Sequence, residues 1–147
     1  MTNIMPIVIL VGLMGGIAIG LQAPLATMIS HRLGVWESVF IVHLGGLLVV
    51  SIPLVFLGGG RLGHWQSVPW YALAGSTLGV AVISSTVYMV PRVGVAAAIM
   101  LIITGQLIIA STIDHFGVFE VEMKPFTLQR LLGLCIVAFG VWHTLRN

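Results

Sequence analysis

Long uncharged stretches, separated by short polar connections, dominate the chain. Four such runs each include the roughly 20 residues that a helix needs to cross a bilayer: 4–30, 38–60, 62–89 and 93–113. A fifth run, 131–145, has only 15 residues, but the arginines that flank it can extend their stems to the interface while local thinning absorbs the mismatch. The pattern therefore predicts five transmembrane helices, at about residues 4–30, 37–57, 69–90, 94–113 and 128–145.

Composition agrees with a membrane protein of the all-α class. Of the 147 residues, 59% are hydrophobic and 7% charged, whereas roughly a quarter of the residues in a soluble domain are charged. The short connections leave no room for a soluble domain, so residues 1–147 are expected to form one five-helix domain. The first run is too long for a signal-peptide core and is expected to remain as a helix. The lone Cys135 falls in the fifth span and is interpreted as a small apolar filler.

Basic residues are divided equally between the two sides of the membrane. Side A, which holds the amino terminus and the second and fourth connections, has Arg61, Lys124 and Arg130, and side B has Arg32, Arg92 and Arg146. The positive-inside rule therefore gives no orientation. One interpretation is a chance balance, and the other is dual topology, in which copies insert both ways and pair antiparallel. Five spans suit dual topology, because an inverted pair gives a ten-helix inverted-repeat assembly like those of secondary transporters.

Small residues mark two helix faces. Glycines recur every four residues in the first and third spans, at Gly12, Gly16, Gly20, Gly75 and Gly79. Close approach over such faces is a main source of packing energy in lipid, so helix packing is the expected use, and space for a ligand is the alternative. Pro24 predicts a kink or break in the first helix, beside Gln22, because proline lacks an amide donor. An interrupted helix next to an amide is typical of transporter sites, whereas simple bending is the structural alternative.

Polar side chains also lie at intermediate depth in the second and third spans. Thr77, Ala81, Ser84 and Tyr88 follow helical spacing and would share one face, either bonding their own helix or lining a cavity. His43 lies six residues beyond Glu37, deep enough that its ring should face protein or water. The chain has no paired carboxylates in its first three spans, and no metal-ligand spacing, nucleophile elbow or phosphate loop. We therefore expect no enzyme, no metal, no cofactor and no nucleic-acid partner.

The fourth span carries the most specific stretch. Gly105 and Gln106 are followed by small and apolar residues and then by Ile-Asp-His-Phe-Gly at 113–117, and Val-Gly-Val-Ala-Ala-Ala at 93–98 precedes them. Together with a glycine-rich first helix that contains Gln22, this pattern resembles the YdcZ-like branch (domain of unknown function 606) of the drug/metabolite transporter superfamily. The likeness covers essentially the whole chain.

That resemblance implies a five-helix unit of the cytoplasmic (inner) membrane that moves small molecules and works in pairs, with itself or with an oppositely oriented relative. The chain is also similar to the four-helix small multidrug exporters, which use a first-helix glutamate to exchange protons for cations. No carboxylate lies in the first span here, so that mechanism does not carry over. The branch pattern often has an asparagine where this chain has Ala26.

The leading hypothesis is a transporter whose site lies between two inverted subunits. Its expected lining consists of Gln22, His43, Thr77, Ser84, Tyr88 and Gln106. One alternative is a non-transporting membrane subunit in which the polar residues serve helix packing. A second is one half of a heterodimeric transporter, and a third is a channel.

The polar residues of the stretch 105–117 lie at two different depths in the membrane. Asp114 and His115 follow about 31 Å of uncharged helix and should emerge on side A, where they end the helix and anchor the next connection through Arg130 or Lys124. Proton handling is the minority interpretation for this pair. Gln106 lies roughly 12 Å deeper, where an amide should point to another helix or to a cavity.

Overall fold

Residues 4–146 are described by a computed structural model, and in that part of the chain all regular structure is helical. The α-helices are α1 (Met5–Leu33), α2 (Val35–Phe56), α3 (Trp70–Gly75), α4 (Leu78–Val93), α5 (Val95–Phe116) and α6 (Leu128–Leu145), and a 3₁₀ helix covers Leu62–Ser67. Five segments are long and apolar enough to cross a membrane, with α3 and α4 together forming the third, Trp70–Val93. The predicted number of transmembrane helices is confirmed.

The chain forms two compact units, Met1–Pro91 and Arg92–Asn147. In the first, a single residue, Gly34, connects α1 to α2. Its amide donates to the Ser30 carbonyl at 3.0 Å, and its own carbonyl accepts from the Ser38 amide at 3.1 Å. With φ at 120° and ψ at 163°, the backbone conformation requires glycine, and a Cβ would also overlap the Glu37 carboxylate.

Small side chains form the contact between α1 and α2. Ser38 is fully buried and its hydroxyl donates to the Ala26 carbonyl at 2.7 Å, while Ala23, Ala26 and Thr27 of α1 are buried as well. Ala26 is 1% exposed. Ala26, which stands where the branch pattern often has an asparagine, therefore lies in the contact between α1 and α2. A larger side chain there would hold the two helices apart.

The turn at Gly34 has a counterpart in the second unit. Gly94 has φ at 81° and ψ at 166° and begins α5, and its carbonyl accepts from Ala98 at 3.1 Å. Both glycines stand within the pattern Arg-x-Gly-Val, at 32–35 and 92–95, and the fourth residue after each is fully buried. This four-residue repeat is visible in the sequence and was a signal for both turns. Farther along the second unit, α5 packs along α6.

Helix continuity differs between the first and the third spans. Of the kink or break predicted at Pro24, the break does not occur, since α1 continues through it to Leu33; spanning helices tolerate the missing amide because neighbouring groups satisfy the freed carbonyl. The third span, by contrast, is not one helix. Ser76 and Thr77 form a turn between α3 and α4, and their hydroxyls donate to carbonyls three residues earlier, at 2.6 and 2.7 Å. Such local bonds compete with helical ones.

Large apolar side chains remain on the outside of the helices. Leu10, Leu48 and Ile109, for example, are 60%, 61% and 61% exposed. Lipid tails are as apolar as these side chains, so the bilayer takes the place that a core has in a soluble protein. What the first unit buries instead is mostly small, which allows close backbone approach.

Candidate functional site

His43 lies on α2, eight residues after the helix begins, about 12 Å along its axis. Its Nδ1 is 2.8 Å from the Val39 carbonyl oxygen, four residues earlier. A carbonyl only accepts, so Nδ1 carries a proton and donates it, which leaves Nε2 of the neutral ring without one. The residue as a whole is exposed at the surface of the chain.

Gly79 of α4 makes room for this ring. A Cβ placed on Gly79 would lie 2.9 Å from His43 Nε2, closer than side chains pack. Gly79 therefore leaves the space that the His43 ring occupies, and its predicted role in helix packing stays a prediction. A Cβ at Gly12, Gly16, Gly20 or Gly75, in contrast, would meet no atom within 4 Å. For these four, packing stays a prediction.

The two membrane glutamines are unpaired. Gln22 on α1 and Gln106 on α5 are both exposed, and neither amide has a hydrogen-bond partner among the residues that the structure describes. Gln106 lies about 15 Å from either end of α5. An amide at that depth needs hydrogen bonds that lipid cannot supply. Both positions therefore call for a hydrogen-bonding partner that the contacts within each unit do not supply.

The predicted hydroxyl face is divided by the turn between α3 and α4. Thr77 lies in that turn and bonds the Ala74 carbonyl, so it does not continue the face of α4. Ser84 has a buried hydroxyl oxygen with no hydrogen-bond partner among residues 4–146, and Tyr88 is 58% exposed. Thr86, which the sequence analysis left out, is buried and bonds the Val82 carbonyl at 2.8 Å.

A hydrogen-bonded cluster closes the connection between α5 and α6. Arg130 Nη1 contacts Asp114 Oδ2 at 3.2 Å and the Lys124 carbonyl at 3.4 Å, while the Lys124 amide donates to the Asp114 carbonyl at 2.7 Å. The anchor predicted for Asp114 is therefore present and uses Arg130. His115 Nδ1 accepts from the Phe126 amide at 3.1 Å. Both residues belong to the last turn of α5, where they fix the path of the chain.

The described contacts bring together only part of the predicted lining. His43 meets Gly79, but no described contact joins it to Gln22, Ser84 or Tyr88. Gln106 belongs to the second unit, so a site that combines it with the others stays a prediction. A cavity of about 690 Å³ lies elsewhere in the first unit, between the end of α2 and α3, lined by Leu54, Arg61, Trp65 and Leu73 among others. No predicted site residue lines it.

Among residues 4–146, no group of three His, Cys, Asp or Glu side chains could hold a metal ion.

The chain matches a family of known membrane proteins over most of its length. Residues 7–143 fit the model of the family DMT_YdcZ, which is described as "Putative inner membrane exporter, YdcZ". No curated protein and no solved structure matched the chain.

Proposed function

Because the chain belongs to the DMT_YdcZ family of inner membrane exporters, we propose that two oppositely oriented copies pair into a ten-helix transporter and bind a small molecule between them. Membership places the protein in the inner membrane and makes it a transporter rather than an enzyme. The pairing, the site and the orientation are the further steps, and each is supported by features of the chain.

The observation that carries the proposal is the pair of unpartnered amides at membrane depth. Gln22 and Gln106 are exposed without a hydrogen-bond partner among the described residues. Exposure to lipid would leave up to four hydrogen bonds unmade at each amide. A second copy, with a solute or water at the contact, would supply those bonds. The open glycine face of α1, with Gly12, Gly16 and Gly20 uncovered, offers a surface for such a copy.

Antiparallel pairing is supported by the charges. Three Lys and Arg residues lie on each side of the membrane when five spans alternate, so neither orientation is favoured on insertion. Gln22, His43 and Tyr88 lie toward side B, whereas Gln106 lies about midway along α5. Inversion of one copy would place the first three residues of each copy on opposite sides of a shared midplane that holds both Gln106 amides.

The lining favours solutes that form hydrogen bonds without a fixed positive charge. Amides, hydroxyls and an imidazole are its polar groups, and the spans contain no acid away from their ends. A cation at membrane depth would need a counter-charge that the chain does not provide.

Transport is tested with the purified full chain in proteoliposomes. A panel of one cation (ethidium), one zwitterion (L-serine), one neutral polyol (ribitol) and one anion (L-lactate) would be assayed under pH and sodium gradients. We expect flux of at least one polar solute, with Gln106→Ala abolishing flux while the protein remains folded and paired. No flux for any solute under any gradient would count against a transporter.

Orientation is tested separately by labelling a cysteine added at each terminus in turn, on a Cys135→Ser background. Dual topology predicts that each terminus is labelled from both sides of the membrane in one preparation. Labelling from one side alone would exclude the homodimer and require an oppositely oriented relative as partner.

A non-transporting membrane subunit is the second candidate, and one observation favours it. The hydroxyls of Thr27, Thr77 and Thr86 bond carbonyls of their own helical segments, which is a structural use. This candidate predicts that Gln22→Ala and Gln106→Ala lower the thermal stability in detergent in proportion to any lost activity. A transporter predicts loss of flux at unchanged stability.

A further inference from the structure

His43 is isolated among the ionisable side chains of the spans. If residues within seven positions of either end of a span are set aside, His43 is the one Asp, Glu, His, Lys or Arg that remains. Its imidazole is also the side chain whose charge changes near physiological pH. A group that gains and loses a proton at membrane depth is what a proton-coupled transporter requires.

The hydrogen bond of His43 leaves the ring ready to accept a proton. Nδ1–H donates to the Val39 carbonyl at 2.8 Å, so the lone pair of the neutral ring lies on Nε2. Protonation at Nε2 leaves the Nδ1 bond unchanged. His115 has the opposite arrangement, because its Nδ1 accepts from the Phe126 amide at 3.1 Å and protonation there would break that bond.

The surroundings of Nε2 hold few charged groups. The Nε2 edge of the ring lies against α4 at Gly79, whose missing side chain leaves the space that the ring occupies, since a Cβ there would come within 2.9 Å of Nε2. On α2 the nearest charged residue is Glu37, six residues earlier, and the next titratable group on α4 is Tyr88, nine residues beyond Gly79. The helix α1, which packs on α2, has His31 and Arg32 in its last turn.

No fixed carboxylate therefore faces the ring from α1, α2 or α4 at this depth. A proton on Nε2 would create an unpaired charge in an apolar layer, which is unfavourable unless the proton is passed on or the conformation changes. The high energy of this unpaired charge links the presence of a proton on Nε2 to the conformation of the transporter.

We infer that His43 Nε2 is the proton-binding site through which the chain exchanges protons for its solute. This inference rests on the transport function proposed above. In one cycle a proton from water on the acidic side binds Nε2 to give an imidazolium, and the same proton returns to water on the other side when solute binds. No electrons are transferred and no covalent bond to the solute forms.

Proton binding is tested without reference to transport. Full-length protein labelled with ¹⁵N-histidine would be placed in lipid nanodiscs, and the imidazole nitrogen signals followed by NMR between about pH 5 and 9. The His43 signals are assigned by their loss in His43→Asn. We expect the Nδ1-protonated neutral tautomer at high pH and protonation of Nε2 as pH falls. An Nε2-protonated neutral tautomer, or a ring that does not titrate in this range, would overturn the assignment.

Coupling is tested with whichever solute of the panel the wild-type protein transports. His43→Asn is the informative variant, because an asparagine amide nitrogen can replace Nδ1–H as donor to Val39 but cannot bind a proton. A gradient of about two pH units can sustain a solute ratio of about 100 in one-for-one exchange, since each unit gives a factor of ten. The ratio should fall to about 1 in His43→Asn, and any pH dependence of solute exchange seen in the wild type should be absent from this variant. His64→Gln, in the exposed connection, is the matched control and should accumulate solute as wild type does.

The outcomes separate this inference from the proposed function. Gradient-driven accumulation that persists in His43→Asn would overturn the role of His43 and leave the transporter intact. Loss of both accumulation and exchange in that variant would assign His43 to solute binding or to folding and would also contradict the inference. A wild-type protein that moves no solute would contradict the transport function and the coupling role, and the NMR titration would still decide whether Nε2 binds a proton.

Discussion

At Gly34 the backbone, rather than packing, requires glycine. Its φ of 120° and ψ of 163° lie in a region that side chains with a Cβ avoid, and this one residue connects two spanning helices. Gly34→Ala should therefore lower the free energy of unfolding by about 1–3 kcal/mol, measured by denaturant titration of the full chain in mixed micelles.

The matched control for this prediction is Gly12→Ala. Gly12 is helical and its Cβ would meet nothing within 4 Å, so stability should be unchanged or higher by up to about 1 kcal/mol. Equal stability of Gly34→Ala and wild type would show that the α1 to α2 turn adopts another conformation.

The ion pair between Asp114 and Arg130 should contribute little by itself. The two side chains are 33% and 39% exposed, and solvent screens a pair of this kind. Asp114→Asn and Arg130→Gln, alone and combined, should show a coupling of about 0.5–1 kcal/mol in thermal unfolding, smaller at high salt. Additive effects would mean that the 3.2 Å contact contributes nothing to stability.

At the scale of the helix, α1 carries a glycine face that the first unit leaves open. Gly16→Leu should leave the unfolding of a single copy unchanged, since no atom lies within 4 Å of its Cβ position. If a second copy packs there, the same change should weaken pairing at least about tenfold, or ~1.4 kcal/mol. Fluorescence transfer between labelled copies, followed on dilution in lipid, measures this effect.

Ala18→Leu is the control for the glycine face. It adds the same bulk two residues away, on the opposite side of α1, and should not change the transfer signal. Equal weakening by both variants, or by neither, would remove the glycine face from the interface.

At the scale of the whole molecule, mutation can change the balance of basic residues between the two sides of the membrane. Gly63→Lys with Gln66→Lys would place five basic residues on side A against three on side B and should fix side A in the cytoplasm. Copies of one orientation cannot pair antiparallel, so this variant should lose transport although it still inserts and folds.

Transport should be restored when this variant is co-expressed with a second variant of the opposite orientation. Arg61→Gln with Lys124→Gln leaves one basic residue on side A against three on side B and should fix the reverse orientation. Each variant alone should be inactive and the two together active, in the proteoliposome assay. Wild-type transport by either variant alone would contradict the antiparallel assembly.

The sequence accounted for the parts of the molecule that depend on transfer from water to lipid. The number of spans, the helical class and the need of Asp114 for a basic partner follow from hydropathy and from the position of charges at helix ends, whereas the structure decided for Arg130 over Lys124. The relation of His43 to Gly79 could not be derived, because it depends on how α2 and α4 meet. Spacing along one helix does not contain that information.

By itself, then, the sequence determined that the chain lies in a membrane with five crossings, because the cost of placing charges in hydrocarbon is set residue by residue. The tertiary structure decided where those helices stop and which side chains meet. Local hydrogen bonds of Ser76 and Thr77 divided the third span where hydropathy showed no boundary, while Pro24 left the first helix continuous. It also decided the hydrogen bond of His43 Nδ1 to Val39 and gave Gln22 and Gln106 no partner within their own units among residues 4–146, since both depend on which groups lie within hydrogen-bonding distance in space.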